Sequence, residues 1–423
     1  MTAPATLAAL AADSDYDPNS MPVAKARQYI RAFLTPVTAV ERLAIRAALG
    51  RVLAEDIGSS IDVPGQDNSA MDGYAMRFAD LRADAAVTLR VVGTSFAGKP
   101  FTGPVAAGQA IRIMTGGIMP AGADTVVMQE RVTAAGDQVT VPGGQQKGQN
   151  VRLAGCDIAR DAVVFQRGQL VRPAELGMIA SLGIGEVSVY RKLRVAFFST
   201  GDELVSIGSP LAPGQLYDSN RYTLYGVLTR LGVELIDMGV IRDDPAAVER
   251  AFAEAAGAAD VVITSGGVSV GEADYVKQIL DKLGEVLFWK IAMKPGRPLA
   301  YGKIREAHFF GLPGNPVSAM VTFYQFVREA LLVLMGCRAP APLPTLKAVC
   351  TSPIKKAPGR TEFQRGILSA DQQGNWTVKV TGDQSSAILS SMSQANCFII
   401  LPDEQGNTPA GATVEVQLLE GLI

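Results

Sequence analysis

The sequence predicts a multidomain α/β protein with a doubly wound α/β domain, an inserted β-rich domain, a helical linker domain and a small C-terminal β-barrel domain. Its 423 residues exceed what one hydrophobic core organises. Hydrophobic residues make up 48% and charged residues 19%, a composition that supports several buried cores. From residue 191 onward, strands of nearly continuous apolar character alternate with amphipathic helices, which indicates a mostly parallel sheet covered on both faces.

The helical linker domain is predicted to combine residues 20–57 with residues 152–190. In the first segment, apolar residues recur at three- and four-residue spacing and predict two helices. The two runs are KARQYIRAFL and AVERLAIRAALGRVLAED. The second segment contains the helical run PAELGMIASLG and is expected to pack back on those helices. The first twenty residues contain no motif and are expected to be a flexible lead-in.

Residues 58–151 are then an insertion into the linker domain. Short runs rich in β-forming residues alternate there with Gly, Pro and Asp turns, which predicts a β-rich domain. The runs are TLRVVG, AIRIM, DTVVMQE and QVTV.

Residues 191–338 are predicted to form the doubly wound α/β domain, and residues 339–423 the C-terminal barrel. The predicted strands of the first are RVAFFST, VELIDMGV, DVVITSGG, EVLFWKIAM and HFFGLPG, and its helices are NRYTLYGVLTRLG, PAAVERAFAEAAGAA, ADYVKQILDKLG and NPVSAMVTFYQFVREALLVLMG. The proline-rich run CRAPAPLPT marks the boundary. Beyond it the predicted strands are TLKAVCT, EFQRGIL, WTVKV, CFIILP and TVEVQLL.

Charge and targeting signals exclude several classes of protein. Lys plus Arg number 39 against 41 for Asp plus Glu, a net charge of −2, which argues against a nucleic-acid binder or a ligand of anionic membranes. No basic residue precedes Lys25, so the N-terminus is a poor signal peptide. The apolar stretch 317–335 is interrupted by Arg328 and Glu329 and is expected to be a buried helix, not a membrane span. A cytoplasmic protein is expected.

The counts of histidine and cysteine narrow the chemistry further. The chain has one histidine, His308, which nearly excludes a Ser-His-Asp triad and multi-histidine metal centres. His308 itself is expected to be structural. The four cysteines are scattered without a C-x-x-C pair, which favours reduced thiols over disulfides or a zinc site. Any catalysis must therefore depend on carboxylates, basic residues and backbone dipoles, with a hard metal ion as a further option.

Three loops of the α/β domain follow strands and precede helices, where doubly wound folds bind anionic ligands. The richest, residues 264–274, is predicted to hold a phosphate through Ser265, Gly266, Gly267, Ser269 and Gly271. Its acids Glu272 and Asp274 suit Mg²⁺. The alternative is a tight turn with Asp274 as a helix cap. The other two loops are residues 199–203, which end at Glu203, and residues 311–316.

Further polar and charged candidates lie outside these loops. Lys290, Lys294 and Arg297 form a cationic cluster, and a lysine at the end of a buried strand is costly without an anionic partner. Arg360, Arg365, Ser385 and Ser386 are candidates for an oxyanion pocket, although each taken singly suits a surface position. In the β-rich domain, Asp72 lies in a loop dense in acids and glycine, and Thr115 follows a strand; each also suits an ordinary turn.

Taken together, these motifs resemble the molybdopterin molybdenumtransferases, the bacterial MoeA-type family related to the C-terminal part of gephyrin. The resemblance covers residues 20–423 and rests on DVPGQDNSAMDGYA, RIMTGGIMPAGADTVVMQE, FFSTGDELV, GQLYDSNRYTL, DVVITSGGVSVGEADYVK, KIAMKPGRPLAYG and GLPGNPVSAMVTF, in this order. It implies a molybdopterin-binding-like α/β domain in an L-shaped, four-domain subunit and an elongated homodimer. The active cleft would lie between the α/β domain of one subunit and the β-rich domain of the other. The implied reaction inserts molybdate into adenylylated molybdopterin and releases AMP, assisted by Mg²⁺.

The resemblance also implies roles for individual residues. Asp72, Thr115, Asp157, Glu203, Asp243 and Asp274 match positions in or near the cleft; Lys290 and Lys294 match basic residues; Arg365 and Ser386 match the molybdate pocket; and Pro313 and Pro316 match prolines of the neighbouring loop. Asp274 and Glu203 are the expected Mg²⁺ ligands. Arg297 stands where many members have Lys. The glycine-rich loop is expected to bind the nucleotide diphosphate, and Lys294, Arg297, Arg365 and Ser386 the molybdate.

Three other functions compete with this hypothesis. A molybdopterin adenylyltransferase has a related α/β domain but usually lacks the flanking β domains, and it would adenylylate molybdopterin from ATP. A scaffold protein, as the gephyrin relationship allows, would need a partner-binding groove and a long linker. A pyridine-nucleotide or ADP-ribose hydrolase is a third possibility. The adenylyltransferase could also be a docking partner of this chain.

Overall fold

The structure, a computed structural model, describes residues 16–267 and 274–419. The helices within these residues are α1 (Val23–Phe33), α2 (Pro173–Ser181), α3 (Ser219–Leu231), α4 (Pro245–Ala258), α5 (Asp274–Leu283), α6 (Pro316–Leu334) and α7 (Leu389–Gln394). The first six of these were predicted and are confirmed; α7 was not predicted. Helix α6 is long and apolar enough to cross a membrane, but 72% of it is buried inside the protein, so it is the core helix that its sequence predicts.

The strands are numbered along the chain. The first 190 residues contain β1 (Val40–Ala44), β2 (Ile57–Gly58), β3 (Asn68–Ser69), β4 (Gly73–Met76), β5 (Val87–Ser95), β6 (Gln109–Ile113), β7 (Thr125–Met128), β8 (Thr133–Ala135), β9 (Gln138–Val141), β10 (Val151–Arg152), β11 (Val163–Phe165) and β12 (Glu186–Tyr190). The central region contains β13 (Arg194–Thr200), β14 (Leu204–Val205), β15 (Leu216–Tyr217), β16 (Glu234–Ile241), β17 (Val261–Ser265), β18 (Gly284–Lys290), β19 (Met293–Lys294), β20 (Pro298–Ile304) and β21 (Ala307–Leu312). The C-terminal region contains β22 (Thr345–Cys350), β23 (Thr361–Ala370), β24 (Trp376–Val380), β25 (Cys397–Leu401) and β26 (Thr413–Leu418).

The linker region is held together by strands as well as by helix α2. Strand β1 pairs with β12, and β2 pairs with β11. The residues between β2 and β11 form the β-rich sheet, which is therefore an insertion into the linker region. The second predicted helix, AVERLAIRAALGRVLAED, is wrong: it forms β1 and a short 3₁₀ helix, Ile45–Ala48. Pairing with β12 satisfies its backbone, and Gly50, at φ +74°, breaks any helical continuation.

Helix α1 packs on the α/β domain, contrary to the expectation that residues 152–190 would cover it. Tyr29 and Ile30 are buried in the same core as Trp289 and Tyr301. The Tyr301 hydroxyl donates a hydrogen bond to the Ile30 carbonyl over 3.3 Å. The amphipathic pattern of α1 identifies its buried face, but it cannot identify the domain that covers this face.

The end of the expected lead-in is ordered against strand β18. Lys290 donates its backbone N–H to the Pro18 carbonyl over 2.7 Å and accepts a bond from the Met21 N–H over 3.1 Å. The Trp289 indole donates to the Tyr16 hydroxyl over 2.9 Å. Residues 16–21 are therefore an arm along the edge of the sheet, and the prediction of a flexible lead-in is wrong for them. Residues 1–15 lie outside the described part.

The β-rich domain is a six-stranded sheet in the order β7-β4-β6-β5-β9-β8. All four predicted runs are strands in it. Successive residues of β4 enter different cores, because side chains alternate across a sheet: Ala75 packs with Val126, while Tyr74 and Met76 share a core with Leu89.

The α/β domain is built on a sheet in the order β16-β13-β17-β21-β20-β18. The first four strands are parallel, and β20 and β18 are antiparallel additions. Phe197 shares a core with Leu228 of α3, whereas the next residue, Phe198, packs against Phe252 of α4. Helices therefore cover both faces, which confirms the doubly wound prediction. Strand β20 was missed, since its sequence begins in the proline-containing run KPGRP.

The C-terminal region closes into a five-stranded barrel. Strands β23, β24, β22, β26 and β25 pair in turn, and β25 pairs again with β23. All five predicted strands are present. Strand β19 of the α/β domain adds to the barrel beside β23, with Lys294 opposite Glu362. This pairing brings the cationic cluster to the junction of the two domains.

Candidate active site

A glycine turn forms a cradle at the carboxyl end of the parallel sheet. Gly266 and Gly267 have φ values of +92° and +68°. A Cβ atom on Gly266 would lie 2.7 Å from the Thr200 carbonyl oxygen, and one on Gly267 would lie 2.9 Å from the Thr200 hydroxyl. Only glycine fits both positions. The Gly266 N–H donates to the Leu312 carbonyl over 3.1 Å, so Gly266 permits close approach of a ligand but does not offer its own amide.

Buried hydroxyl groups lie behind this cradle. Ser265 is 2% exposed and accepts a hydrogen bond from the Asn220 side-chain NH₂ over 2.7 Å. The same NH₂ group donates to the Gly314 carbonyl over 2.6 Å. Thr200 is also buried, and its hydroxyl has no hydrogen-bond partner among the described residues. Neither Thr200 nor Asn220 was assigned a role from the sequence, although both lie within the recognised motifs FFSTGDELV and GQLYDSNRYTL.

The start of helix α3 is anchored under the cradle by Asp218. This carboxylate is 1% exposed, caps the helix by accepting the Arg221 N–H over 3.1 Å, and accepts the Ser199 hydroxyl over 3.0 Å. Arg221 compensates its charge at 3.3 Å. Asp218 therefore fixes α3, and with it Asn220, relative to the end of β13.

Carboxylates lie at the same edge of the sheet. A Cβ on Gly201 would lie 2.5 Å from the Glu203 carboxylate, which places Glu203 directly over the end of β13. Asp243 follows β16 and donates its backbone N–H to Asp202 over 3.2 Å. Within residues 16–267 and 274–419, no group of three His, Cys, Asp or Glu residues could hold a metal ion.

Part of the predicted cradle lies outside the described residues: Ser269, Gly271 and Glu272. Asp274 is the first residue of α5, but its side chain is outside the description as well. Carboxylates are the ligands that Mg²⁺ prefers, so Glu203 and Asp274 are of the right chemical type for that ion.

The predicted cations lie near the junction with the barrel. Lys290 is half-buried at the end of β18, while Lys294 and Arg297 are exposed. The Lys294 ammonium lies 3.4 Å from Glu362, a carboxylate that is 4% exposed and also accepts the Gln364 side-chain NH₂ over 2.8 Å. Lys294 is thus held toward the barrel.

Arg365 is a fully buried cation without a carboxylate partner among its hydrogen bonds. Its exposure is 0%, and burial lowers the pKa of its guanidinium to about 10. It donates to the Ser391 hydroxyl over 3.0 Å and to the carbonyls of Ser385 and Asp383 over 3.0 and 3.3 Å. The backbone carbonyl of Ser386, which follows Ser385, accepts the Val317 N–H at the start of α6 over 3.1 Å.

The loop after β21 separates the buried arginine from the cradle. Pro313 is buried there, and Pro316 is the first residue of α6. Ser386 therefore lies against the start of α6, next to the loop that contains the two prolines, and Arg365 is buried, although each serine and arginine taken singly suited a surface position.

A second group of predicted residues lies in the β-rich domain. The Asp72 carboxylate accepts the backbone N–H and the hydroxyl of Thr115 over 2.7 and 2.8 Å. These bonds, the backbone bond above all, lower the pKa of Asp72. Asp157 is exposed, and its backbone N–H donates to the Val63 carbonyl. Within the described residues, no strand of this domain pairs with the α/β sheet.

A doubly wound domain with a glycine cradle at the carboxyl end of its sheet, flanked by β-rich domains, defines a multidomain protein with a site suited to anionic ligands. Three family models match the chain in order: the MoeA N-terminal region (domain I and II) at residues 21–183, a probable molybdopterin binding domain at residues 196–333, and the MoeA C-terminal region (domain IV) at residues 347–419.

The chain belongs to the molybdopterin molybdenumtransferase family, which confirms the resemblance. It is 48% identical over 387 residues to the molybdopterin molybdenumtransferase of Haemophilus influenzae, covering 91% of this chain and 95% of that protein. It is 38% identical to the enzyme of the same name from Nostoc sp., covering 84% and 83%. A crystal structure of the molybdopterin biosynthesis moeA protein of Pyrococcus horikoshii superposes with a TM-score of 0.81 at 30% identity, covering 95% of this chain and all of that one.

Proposed function

We propose that this protein inserts molybdate into adenylylated molybdopterin and releases AMP. One observation carries the proposal: the loop after β21 is hydrogen-bonded at one end toward the buried cation and at the other end toward the cradle. Arg365 donates to the Ser385 carbonyl, and the carbonyl of the next residue, Ser386, accepts the Val317 N–H at the start of α6. Gly314, three residues before Val317, accepts from Asn220, which also donates to Ser265. These contacts support two neighbouring anion sites.

The charges of the two substrates match the two sites. The phosphate groups of the adenylylated pterin suit the cradle, where glycine permits close approach and hydroxyl groups donate. Molybdate is a tetrahedral dianion and suits Arg365, because a buried guanidinium whose hydrogen-bond acceptors are neutral gains from a bound anion. Side-by-side binding places molybdate near the dithiolene while the phosphoanhydride bond to AMP breaks.

Mg²⁺ belongs to this proposal, with Glu203 and Asp274 as its ligands. Glu203 lies over the end of β13, next to the cradle, and Asp274 is the first residue of α5, the helix that follows the glycine-rich loop. When bound, the ion would polarise the phosphoanhydride. Lys290 and Lys294 lie at the same end of the domain and favour the negative charge that develops as AMP leaves.

The proposal also includes a homodimer that works in the cytoplasm and receives its substrate from a molybdopterin adenylyltransferase. The homodimer is supported by exposed apolar side chains on α3, on β15 and in the loop between β14 and β15, which we take together as one apolar patch: Ile207, Leu211, Leu216, Tyr217, Tyr222 and Tyr225. Patches of this kind mark interaction sites. A second copy would cover the patch and would also supply Asp72 and Thr115, which one chain holds in a separate sheet.

The test is AMP release from adenylylated molybdopterin by the purified protein in the presence of molybdate and Mg²⁺. We expect AMP to appear only when molybdate is present, together with molybdenum bound to the pterin. Adenylylation of molybdopterin from ATP would instead favour the adenylyltransferase function. Failure to release AMP under any metal condition would overturn the proposal.

A further inference from the structure

Asn220 connects the two turns that form the anion cradle. It is the second residue of α3 and is 8% exposed. Its side-chain NH₂ donates to the Ser265 hydroxyl over 2.7 Å and to the Gly314 carbonyl over 2.6 Å. Ser265 ends β17, and Gly314 follows β21, so a single amide group bridges the carboxyl ends of two neighbouring strands.

The orientation of this amide follows from its partners. A backbone carbonyl only accepts hydrogen bonds, so the atom that faces Gly314 must be the nitrogen. The nitrogen then also faces Ser265, whose oxygen must accept. The Asn220 carbonyl oxygen is left buried without a partner among the described residues, a cost that a purely structural amide would be expected to avoid.

The hydroxyl proton of Ser265 is consequently directed away from Asn220. Its other acceptor within the described residues is the Pro313 carbonyl at 3.4 Å, which is long for a hydroxyl donor. An acceptor placed over the 265–267 turn would compete well for this proton. A phosphate oxygen is such an acceptor, and it has no proton of its own to donate in return.

The bridge also sets the width of the cradle. A Cβ added to Gly314 would lie 3.7 Å from the Gly266 Cα, so the gap between the two turns is about the size of one methyl group. The Gly266 N–H is already bonded to Leu312. Because the Gly266 amide is not available to a ligand, the Ser265 hydroxyl is a donor that can bind an anion at this turn.

We propose that Asn220 is a positioning residue that fixes the Ser265 hydroxyl as a donor to a phosphate oxygen of the nucleotide. The inference rests on the proposed function and names the subsite in which the AMP phosphate is held. Asn220 acts through Ser265, and it does not touch the ligand itself.

The experiment is a double-mutant cycle read by calorimetric titration of AMP into the full chain. Asn220→Ala and Ser265→Ala should each weaken AMP binding about tenfold, the worth of one hydrogen bond to a charged group. Because Asn220 acts through Ser265, the double variant should be no more than about twofold weaker than either single variant. Asn396→Ala is the matched control, since Asn396 also bridges backbone groups, at Leu368 in the barrel.

Three outcomes overturn the inference: unchanged AMP affinity in Ser265→Ala, fully additive losses in the cycle, or no AMP binding by the unmodified protein. The Ser265 variant keeps the test decisive even if Asn220→Ala fails to fold. Molybdate-dependent AMP release by the unmodified protein is measured in parallel. If that reaction proceeds while the cycle is additive, the inference fails and the proposed function stands; if it does not proceed, the proposed function fails.

Discussion

Thr115 binds one oxygen of the Asp72 carboxylate twice, through its backbone N–H at 2.7 Å and its hydroxyl at 2.8 Å. Both bonds end on Oδ1 and favour the ionised form, which lowers the pKa of Asp72. The sequence singled out both residues, but it did not show that one holds the other.

Thr115→Val should raise the pKa of Asp72 while leaving it below the ordinary value, because the larger backbone contribution remains. The measurement is an NMR titration of the carboxyl carbon. Thr133→Val, at an exposed position of the same sheet, is the control and should leave the titration unchanged. An unshifted Asp72 in Thr115→Val would contradict the assignment.

Arg365→Lys should raise the KM for molybdate about 10- to 100-fold. The guanidinium donates to Ser391 and Ser385 through separate nitrogen atoms, and a single lysine ammonium cannot make both bonds and also bind an anion. AMP affinity should stay within about twofold, since the cradle is untouched. Lys379→Arg is the control, since Lys379 is an exposed cation on β24 of the same domain. Equal losses for molybdate and AMP would show that Arg365 supports the fold, not a molybdate site.

Glu203→Gln and Asp274→Asn should each weaken Mg²⁺ binding at least about tenfold, because each removes one carboxylate charge from a hard cation. Asp274→Asn should abolish metal-dependent AMP release while the fold survives. Calorimetric Mg²⁺ titration measures the first effect without substrate, and circular dichroism checks the fold. Glu254→Gln, exposed on α4, is the control. Undiminished Mg²⁺ affinity in both variants would refute the metal site.

His308 makes folding sensitive to acid. Burial, assisted by the charge of Lys303, lowers its pKa to about 4 from the ordinary 6.5. Below pH 6.5 the His308 imidazole is protonated in the unfolded chain but remains neutral in the folded protein. The free energy of unfolding therefore falls by up to about 3 kcal/mol as the pH drops to 4. Above pH 6.5 this effect is absent.

Urea unfolding of the native protein and of His308→Gln at pH 7.5 and at pH 4.5 measures this loss. The native protein should lose more stability than the variant between the two pH values, by about 2 kcal/mol. Parallel losses in the two proteins would show that His308 is protonated in the folded state.

If a second copy covers the apolar patch, Tyr225→Glu should convert the proposed homodimer to monomers, because a carboxylate placed in a covered apolar patch is costly unless paired. Tyr225 is 50% exposed in the single chain, and Trp376, at 49% on the barrel, provides the control variant Trp376→Glu. Sedimentation equilibrium should show a dimer for the native protein and the control. A dimeric Tyr225→Glu variant would show that the interface lies elsewhere. A monomeric native protein would show that there is no homodimer.

The tertiary structure corrected the sequence analysis where distant contacts compete with local pattern. The run AVERLAIRAALGRVLAED has helical periodicity, yet pairing with residues 186–190 makes its first part a strand. Residues 16–21 contain no motif, yet the edge of strand β18 orders them. In each case the deciding partner lies more than one hundred residues away, and no local pattern records it.

By itself, the sequence determined the multidomain α/β fold, its doubly wound centre, the C-terminal barrel and the family, because periodicity, turn chemistry and glycine requirements are properties of consecutive residues. Only the tertiary structure decided that the Gly266 amide is already bonded, that Asn220 bridges two strands, and that the hydrogen-bond acceptors of the buried Arg365 are neutral. These facts depend on which groups meet after folding, and burial then sets whether a charge or a hydroxyl remains available for a ligand.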